Sequence, residues 1–456
     1  MKLEIVILAA GQGTRMKSSL PKVLHPVAGK PLLEHVLLTA QQLQPQRIHV
    51  VTGHGSEEVQ EALASYEVDW VLQEEQLGTG HAVMQALPGI ASDSLVLVLY
   101  GDVPLTSADT LQALVDRAGE APALLTATLA DPGGYGRIVR DESGQLLRVV
   151  EDKDCTDQER LLVEINTGVL AAPAGDLKAY LPRVGNNNRQ GEFYLPDVLA
   201  LAVADGKRVA TAEAASEMDI LGVNDRVQLG QVEREYQRRQ AERLMREGVS
   251  LADASRFDVR GSVTCGQDVS IDVNVVLEGD VELGNGVTIG PNCVLRDVKV
   301  GDHTCIHAMS HLQEAVVAAG CDVGPFARLR PGTELAAGAR VGNFVETKKA
   351  RIGAGSKVNH LTYIGDCEMG EGVNIGAGTI TCNYDGVNKH LTRIGNGVFV
   401  GSNSTLVAPL TIADGGFVGA GSTITRPVEA DELAVGRPRQ RNIPGWTRPG
   451  RRESED

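Results

Sequence analysis

The chain has 456 residues, of which 42% are hydrophobic and 4% aromatic, and its formal net charge is -16 at pH 7. This length predicts more than one domain, with cores built mostly from aliphatic side chains. The acidic charge argues against a nucleic acid or an anionic membrane as partner. Seven cysteines without a Cys-x-x-Cys pair argue against a disulfide framework or a thiolate zinc site and favour a reducing compartment.

The amino-terminal segment does not have the composition of a secretory signal. Met1–Ala10 is a short apolar run without a basic region before it, and it leads directly into a Gly-rich turn. No apolar run approaches the ~18 residues that a membrane span requires. We therefore expect a cytoplasmic protein without a membrane span.

The first half of the chain predicts alternating strands and helices. In chain order the apolar patterns predict a strand at Leu3–Leu8, a helix at Pro31–Leu43, a strand at Ile48–Thr52, a helix at Glu57–Ala64, and strands at Val68–Leu72 and Leu95–Tyr100. The last strand is apolar throughout, as in a central parallel strand covered on both faces. The alternation predicts an open α/β sheet that binds ligands beyond the carboxyl ends of its strands.

A change of composition marks the middle of the chain. The segment Arg226–Gly248 is rich in Glu, Arg and Gln, and its apolar residues recur at helical spacing. It predicts one long helix joining two domains, the alternative being a surface helix of the first domain. We therefore place a first domain at 1–225, a linker helix at 226–249 and a second domain at 250–456.

The second half is a repeat with a period of six residues. Aliphatic residues recur, for example, at Leu283, Ile289 and Leu295 and at Val323, Leu329, Leu335 and Val341. This period predicts a prism-shaped β-helix, in which each hexad forms one flat face and sends one aliphatic side chain to the axis. We expect a weak interruption of the repeat at His307–Gly320. The polar insertion Cys382–Leu391 predicts a loop that projects from the coil.

The tail from Arg437 onward is rich in Pro and Arg. Two interpretations stay open for Arg437, a disordered basic tail and a segment that helps to hold an anionic ligand. Beyond Trp446 we expect disorder.

A Gly-rich turn follows the first predicted strand and carries basic residues. Its backbone amides can approach phosphates closely, and Arg15 and Lys22 can neutralise a triphosphate. Met16 stands where a dinucleotide-binding motif would have its third Gly, and the turn is not a Walker A motif either. Asp102 follows the most apolar strand. Such a residue alone is usually part of a turn, but beside phosphate-binding loops it favours a Mg²⁺ ligand.

These residues belong to longer strings. Leu8–Met16 (LAAGQGTRM) followed by Pro21-Lys22 resembles the sugar-1-phosphate nucleotidyltransferases. Further strings are similar to the uridylyltransferase half of the bacterial bifunctional N-acetylglucosamine-1-phosphate uridylyltransferase / glucosamine-1-phosphate acetyltransferase family, namely Gln73–Ala82, Tyr100–Pro104, Gly134–Ile138, Glu164–Gly168, Gln190–Tyr194 and Gly222–Asp225. The resemblance runs from about Ile5 to Arg437.

The resemblance implies a Rossmann-like nucleotidyltransferase domain in which Arg15 and Lys22 are catalytic and Asp102 and Asn224 hold Mg²⁺. The residues implied to bind UTP or the UDP-sugar are Leu8, Ala9, Ala10, Gly11, Lys22, Gln73, Gly78, Thr79, Tyr100, Gly101, Asp102, Gly136, Glu151, Asn166 and Asn224. The sugar phosphate would attack the α-phosphorus of UTP in line and release pyrophosphate, with positioning and charge stabilisation supplying the catalysis.

The β-helix carries a second group of candidates. His360 has the side chain of a general base, although a lone His on a coil is more often a surface residue. Arg330 and Lys348 lie 18 residues apart, so they should stack on neighbouring coils and can clamp one phosphate. His360 lies on a different face. It would meet the clamp across a subunit boundary, or Tyr363 and Asn374 would have to bridge the gap.

Here the chain looks like the hexapeptide acetyltransferase half of the same family. The resemblance implies a left-handed parallel β-helix, a homotrimer with sites between subunits, and His360 as the base that deprotonates the amine of glucosamine-1-phosphate. The sugar phosphate would be held by Arg330, Lys348, Tyr363 and Asn374, with Lys389 as a further contact. Acetyl-CoA would be bound by Ala377, Asn383, Tyr384, Ser402, Ala420 and Arg437.

The predicted activity is acetyl transfer from acetyl-CoA to glucosamine-1-phosphate, followed by uridylyl transfer from UTP to N-acetylglucosamine-1-phosphate. One alternative is a nucleotidyltransferase whose β-helix only regulates or oligomerises, but this leaves His360 and Lys348 without a role. Another is a non-enzymatic trimeric scaffold, which leaves the phosphate-binding turn and Asp102 unexplained.

Overall fold

The computed structural model of the chain describes residues 1–449. The disorder predicted beyond Trp446 lies mostly outside the described residues. These residues form two compact units, Met1–Arg239 and a second that begins at Gln240. The boundary falls within the long helix Arg226–Arg246. Within residues 1–449, no helix is both long and apolar enough to cross a membrane.

The first unit is an α/β domain around one nine-stranded sheet. The strands of the unit are β1 (Leu3–Ala9), β2 (Pro26–Val27), β3 (Lys30–Pro31), β4 (Arg47–Thr52), β5 (Asp69–Leu72), β6 (Leu95–Tyr100), β7 (Ala123–Thr128), β8 (Gly136–Arg140), β9 (Leu146–Val150), β10 (Glu164–Pro173) and β11 (Ala210–Glu213). Of these, β2 and β3 form a separate two-stranded sheet. The helices of the unit are α1 (Leu32–Gln42), α2 (Ser56–Ala62), α3 (Thr79–Ala86), α4 (Ala108–Arg117), α5 (Ala174–Tyr180), α6 (Asp197–Ala204) and the first part of α7 (Arg226–Arg246), which continues into the second unit.

The strand order in this sheet is β11-β7-β10-β6-β1-β4-β5, with β8 and β9 branching from β10. β1 pairs in parallel with β4 and β6, whereas β10 runs antiparallel to its neighbours. Successive residues of β1 alternate between two cores, Ile5 and Ile7 facing one and Val6 and Leu8 the other. The predicted α/β sheet with central parallel strands is confirmed, and β1 and β6 both end at the same sheet edge.

The second unit is a parallel β-helix. Its strands are β12 (Ser250–Leu251), β13 (Phe257–Cys265), β14 (Ser270–Ile271), β15 (Val275–Leu283), β16 (Thr288–Ile289), β17 (Val294–Val300), β18 (Cys305–Ile306), β19 (His311–Val317), β20 (Asp322–Val323), β21 (Arg328–Leu329), β22 (Thr333–Leu335), β23 (Arg340–Asn343), β24 (Glu346–Ile352), β25 (Lys357–His360), β26 (Tyr363–Met369), β27 (Asn374–Ile375), β28 (Ile380–Cys382), β29 (Thr392–Ile394), β30 (Phe399–Val400), β31 (Thr405–Val407), β32 (Leu410–Ile412), β33 (Phe417–Val418), β34 (Thr423–Ile424) and β35 (Leu433–Ala434).

These strands form two stacks of parallel strands. One stack runs from β12 through β14, β16, β18, β20, β23, β25, β27, β30 and β33 to β35, and the other contains the remaining strands. In the first stack, equivalent buried residues follow at steps of 17 or 18, as in Ile306, Val323, Val341 and Val358. The predicted β-helix with one aliphatic residue per face is therefore confirmed.

Of the two interruptions predicted for the six-residue repeat, the structure shows one and not the other. The step from Ile375 to Val400 is 25 residues, because the predicted polar insertion leaves the coil between β28 and β29. The weak interruption expected at His307–Gly320 is wrong, since β18 and β19 keep the regular pairing. Polar side chains are buried in and beside this stretch. Ser310 is buried and accepts a 3.4 Å hydrogen bond from the backbone amide of Ala327. Thr304, just before the stretch, donates a 2.9 Å hydrogen bond to the carbonyl oxygen of Ala318.

Candidate active sites

A cavity of about 270 Å³ opens at the sheet edge where β1 and β6 end. Ten residues with a predicted nucleotide contact line it, namely Leu8, Ala9, Ala10, Gly11, Lys22, Gln73, Gly78, Thr79, Tyr100 and Asp102. Gly101 follows β6 directly and lies between two of them. Gln76 and Glu192 also line the cavity, although neither had a predicted role. Both residues lie within sequence segments that resemble the family, Gln76 in Gln73–Ala82 and Glu192 in Gln190–Tyr194, and this resemblance could have identified them.

A second cavity of about 240 Å³ adjoins the first and shares Thr79, Tyr100 and Glu192 with it. It contains the three residues with a predicted sugar contact, Gly136, Glu151 and Asn166. No individual role was predicted for Tyr135, Gln190 or Tyr194, which also line it. The arrangement places two cavities of similar volume next to each other at one edge of the sheet.

Two glycines allow the close approaches that shape the first cavity. Gly13 has φ +62°, and a Cβ there would lie 2.6 Å from Cβ of Lys22. Gly78 has φ +108°, and a Cβ there would lie 2.7 Å from the carbonyl oxygen of Phe193. A Cβ at either position would clash with these atoms, so both turns depend on Gly.

Charged groups converge at the mouth of this cavity. Lys22 Nζ forms an ion pair with Oδ2 of Asp102 and lies 3.5 Å from Oδ1 of Asn224. Arg15 is exposed and donates a 2.8 Å hydrogen bond to the same Asn224 oxygen. One carboxylate and one amide oxygen thus face a common point, and this donor set suits Mg²⁺, which keeps water and phosphate oxygens as its other ligands.

The second cavity is more acidic than the first. Burial, followed by the charges of Asp197 and Asp154, raises the pKa of Glu151 above its usual value. Burial, followed by the carboxylates of Glu151 and Asp102, also raises the pKa of Tyr100. Such surroundings favour the neutral hydroxyls of a sugar over a second phosphate.

On the β-helix, one corner holds four of the predicted acetyl-transfer residues in a column. The column consists of His360, Ala377, Ser402 and Ala420. The carbonyl oxygen of His360 accepts a 3.3 Å backbone hydrogen bond from Gly378, which follows Ala377. In the same way, Ala377 accepts a 2.7 Å bond from Asn403, which follows Ser402, and Ser402 accepts a 2.7 Å bond from Gly421, which follows Ala420. Arg437 donates from its guanidinium to the carbonyl oxygen of Ala420. Asn374 lies three residues before Ala377 on the adjoining strand. We call this group the His360 corner.

The predicted phosphate clamp forms a second column at another edge. Leu329 pairs with Thr347 and Lys348 pairs with Gly365, so Arg330, Lys348 and Gly365 stack on successive coils. The predicted stacking of Arg330 and Lys348 is thus observed. Tyr363 places its hydroxyl against Gly365, where a Cβ would lie 2.4 Å from it.

The projecting loop joins this second column. Contact with Lys389, followed by the charge of Arg330, lowers the pKa of Lys348, so three cationic side chains are close together. Asn383 donates to Asp366, which follows Gly365, and Tyr384 is the next residue. We call Arg330, Lys348, Tyr363 and the loop residues Asn383, Tyr384 and Lys389 the cationic column.

The two groups lie at opposite edges of one face within a single chain. Leu361, next to His360, and Gly365, in the cationic column, are four positions apart in the chain. At ~3.3 Å per strand residue, the distance between them is about 13 Å. The acetyl-CoA residues predicted as one set are therefore divided, with Asn383 and Tyr384 beside the clamp and Ala377, Ser402, Ala420 and Arg437 beside His360.

Comparisons with known proteins agree with both units. The MobA-like NTP transferase domain family matches residues 5–162, and the bacterial transferase hexapeptide family (six repeats) matches residues 262–297. A solved nucleotidyl transferase from Methanothermobacter thermautotroptrophicus is similar at 22% identity with a TM-score of 0.39, covering 52% of this chain and 99% of that chain. That score is too low to support a structural argument.

Relatives of full length are more informative. A bifunctional protein GlmU from Marinobacter nauticus is 58% identical over 448 residues, covering 98% of this chain and 99% of that protein. A bifunctional protein GlmU from Alkalilimnicola ehrlichii is 59% identical over 450 residues, covering 99% and 97%. The predicted family, and the predicted pairing of nucleotidyl transfer with acetyl transfer, are confirmed. The chain belongs to the GlmU family and is a bifunctional transferase that joins a nucleotidyltransferase domain to hexapeptide acetyltransferase repeats.

Proposed function

We propose that the chain makes UDP-N-acetylglucosamine in the cytoplasm, with uridylyl transfer in residues 1–225 and acetyl transfer in residues 250–456, on either side of the helix at 226–249. Acetyl transfer from acetyl-CoA to glucosamine-1-phosphate comes first, and uridylyl transfer from UTP follows. The observation that supports the proposal is that cationic side chains converge at two separate places, Arg15 and Lys22 in the first unit and Arg330, Lys348 and Lys389 on the β-helix. The seven free cysteines are in keeping with a reducing compartment.

In uridylyl transfer the first cavity takes the nucleotide and the second takes the sugar. Gly11 and the backbone around it face the phosphates, while Glu151 and Asn166 bind sugar hydroxyls. Lys22 and Arg15 offset the repulsion between two anionic reactants. Asp102 and Asn224 would hold Mg²⁺, which when bound neutralises phosphate charge and orients the α-phosphate. The sugar phosphate oxygen attacks the α-phosphorus, and pyrophosphate leaves.

Acetyl transfer requires both groups of the β-helix. The cationic column binds the phosphate of glucosamine-1-phosphate. His360 takes a proton from the sugar amine as it attacks the thioester, and CoA leaves as a thiol. Ala377, Ser402, Ala420 and Arg437 follow His360 along the corner and bind the acetyl-CoA that extends from it.

We infer a homotrimer, in which the His360 corner of one copy faces the cationic column of another. The separation of about 13 Å within one chain supports this arrangement. A row of exposed apolar side chains runs along the same corner, from the coil of His360 to the coils that precede it. It is formed by Met309, Phe326, Phe344 and Leu361, which are 46–64% exposed. The rings of Phe326 and Phe344 stack with their centroids 5.1 Å apart. An apolar row of this kind is suited to burial against a second copy.

Product analysis by mass spectrometry tests the proposal. Wild type and His360→Ala each receive UTP, Mg²⁺, acetyl-CoA and glucosamine-1-phosphate, and then the same mixture with N-acetylglucosamine-1-phosphate. We expect the variant to make UDP-N-acetylglucosamine only from the acetylated sugar. If wild type consumes no acetyl-CoA, the β-helix is regulatory or structural and the two-step proposal is wrong.

A further inference from the structure

Three side chains on neighbouring coils of the β-helix are in contact outside the sites described above. Sγ of Cys305 lies 3.7 Å from Nδ1 of His307, and Nε2 of His307 lies 2.6 Å from Oδ1 of Asp322. Cys305 in β18 pairs with Asp322 in β20. His307 follows two residues after Cys305 and therefore projects from the same face. We call these three residues the Cys305 cluster.

The cluster faces solvent in the described chain. The His307 and Asp322 side chains are 42% and 51% exposed, and Cys305 is half-buried. The cluster therefore lies at the surface of the second unit, with Cys305 only partly buried. This distinguishes Cys305 from Cys293, Cys321 and Cys367, which are buried.

The imidazole is held in one orientation. With the hydrogen on Nε2 donated to Asp322, the lone pair of Nδ1 points to the thiol of Cys305, as in nucleophile–His–carboxylate triads. Cys293 donates a 3.1 Å hydrogen bond to the carbonyl oxygen of His307. Gly324 leaves room for the His307 side chain, because a Cβ there would lie 3.2 Å from Cβ of His307.

The thiol needs this base in order to react. Burial, followed by the charge of Asp322, raises the pKa of Cys305 above its usual value. The reactive thiolate is therefore scarce at neutral pH. An adjacent imidazole that accepts the proton during the attack removes this obstacle.

We propose that Cys305 is a site of mixed-disulfide formation with low-molecular-weight disulfides, with His307 as general base and Asp322 as its positioning residue. The Cys305 S–H bond breaks and its proton goes to Nδ1 of His307, while Sγ forms a bond to one sulfur of the disulfide. The S–S bond of the reagent breaks, and its electron pair leaves with the second sulfur. That sulfur takes the proton and departs as a free thiol, so the disulfide itself is the oxidant.

The competing explanation is that the three residues only link two coils. The two explanations differ in the rate at which Cys305 reacts. Cys265 and Cys382 serve as internal references because both are also partly exposed. The full chain is incubated with oxidised glutathione at pH 7.5, and the modified fraction of each cysteine is followed by peptide mass spectrometry.

We expect Cys305 to react at least ~10-fold faster than Cys265 and Cys382. In His307→Ala the reaction rate of Cys305 should fall at least ~10-fold, as for loss of a general base. Asp322→Asn should lower the rate less. His311→Ala, which removes a nearby imidazole outside the cluster, should leave it within about twofold. In urea, Cys305 should react alike in wild type and His307→Ala. Equal folded-state rates for the three cysteines, or an unchanged rate in His307→Ala with intact circular dichroism, would overturn the proposal.

Discussion

The backbone amide of Val223 donates a 2.9 Å hydrogen bond to the carbonyl oxygen of Asp102. This bond joins the loop after β6 to the segment before α7, although the two are far apart in the chain. As a result the side chains of Asp102 and Asn224 both reach Lys22. The candidate metal ligands are therefore brought together by the backbone, before any ion contributes.

Asp102→Asn should lower nucleotidyl transfer by about 10²–10³-fold, because it removes the negative charge at the proposed Mg²⁺ position. The Mg²⁺ concentration for half-maximal rate should rise as well. Pyrophosphate release measured against Mg²⁺ concentration reports both effects.

Asp116→Asn is the matched control, since Asp116 accepts a hydrogen bond from Gln112 on the surface of α4. It should behave as wild type, and acetyl transfer should be unchanged in both variants. An unaltered Mg²⁺ dependence in Asp102→Asn would contradict the assignment of Asp102 as a ligand.

Lys348→Ala should raise KM for glucosamine-1-phosphate by about 10- to 100-fold, the range expected for loss of a hydrogen bond to a charged group. Repulsion from Lys389 and then Arg330 lowers the pKa of Lys348, and a bound phosphate relieves that repulsion. KM for acetyl-CoA should change much less. Lys299→Ala removes a Lys that pairs with Glu282 on another coil and should leave both constants unchanged. Equal effects on both KM values would argue against a phosphate role.

Asp385→Asn should lower kcat/KM of acetyl transfer by roughly 10- to 100-fold, because small displacements of positioning groups are costly. Asp385 closes the projecting loop. It accepts a 2.7 Å hydrogen bond from His390 and backbone bonds from Val387 and Asn388. These contacts fix the loop that presents Lys389 and Tyr384. Nucleotidyl transfer is the internal control, and Asp280→Asn, which alters a carboxylate bonded to Ser262, is the matched variant.

The sequence predicted those parts of the fold that depend on local pattern. Leu95–Tyr100 matches β6 in full, because an entirely apolar run has one way to be buried in a sheet. The hexad rule failed at His307–Gly320, where the polar Ser310 is buried and accepts a hydrogen bond from the backbone amide of Ala327. Polarity alone does not distinguish a satisfied corner from a loop.

The division of the acetyl-CoA residues was also beyond sequence reasoning. Asn383 and Ala377 are six residues apart, and their separation depends on the corner at which the insertion leaves the coil. That position is set by the pairing of Ile380 with Tyr363 and Thr405, which spacing alone does not reveal. The stacking of Arg330 and Lys348 was predictable because no insertion lies between them.

Phe344→Asp should dissociate the proposed trimer, because a carboxylate in an apolar contact must be desolvated without a partner. Sedimentation velocity at micromolar concentration measures the change in mass. Acetyl transfer should fall with dissociation, and nucleotidyl transfer should persist. Leu161→Asp changes a leucine of the first unit that is 80% exposed and should leave the mass unaltered. A trimeric Phe344→Asp variant would exclude this row as the interface.

Glu4 lies buried in the first unit and should make its stability depend on pH. It is bonded to Nε2 of His49 at 3.0 Å and accepts a 2.7 Å hydrogen bond from Ser94. Burial raises the pKa of Glu4, but the bonds from His49, Ser94 and the Ala91 amide outweigh it, so the net pKa is below the usual 4.5. A carboxylate with a lowered folded-state pKa stabilises the protein above its unfolded pKa. That contribution is lost as pH falls from about 4.5.

Glu4→Gln should therefore reduce stability at pH 7 by about 1–3 kcal/mol, as for a buried bond to a charged group. Below pH 4.5 the variant should lose less further stability than wild type, because it lacks the titrating carboxyl. Trp70 reports unfolding of this region, since it pairs with Val50 next to His49. Urea midpoints from its fluorescence should be measured in a Trp446→Phe background, with the exposed Glu61→Gln as control. Parallel pH profiles for Glu4→Gln and wild type would show that Glu4 has the same pKa in the folded and unfolded chain.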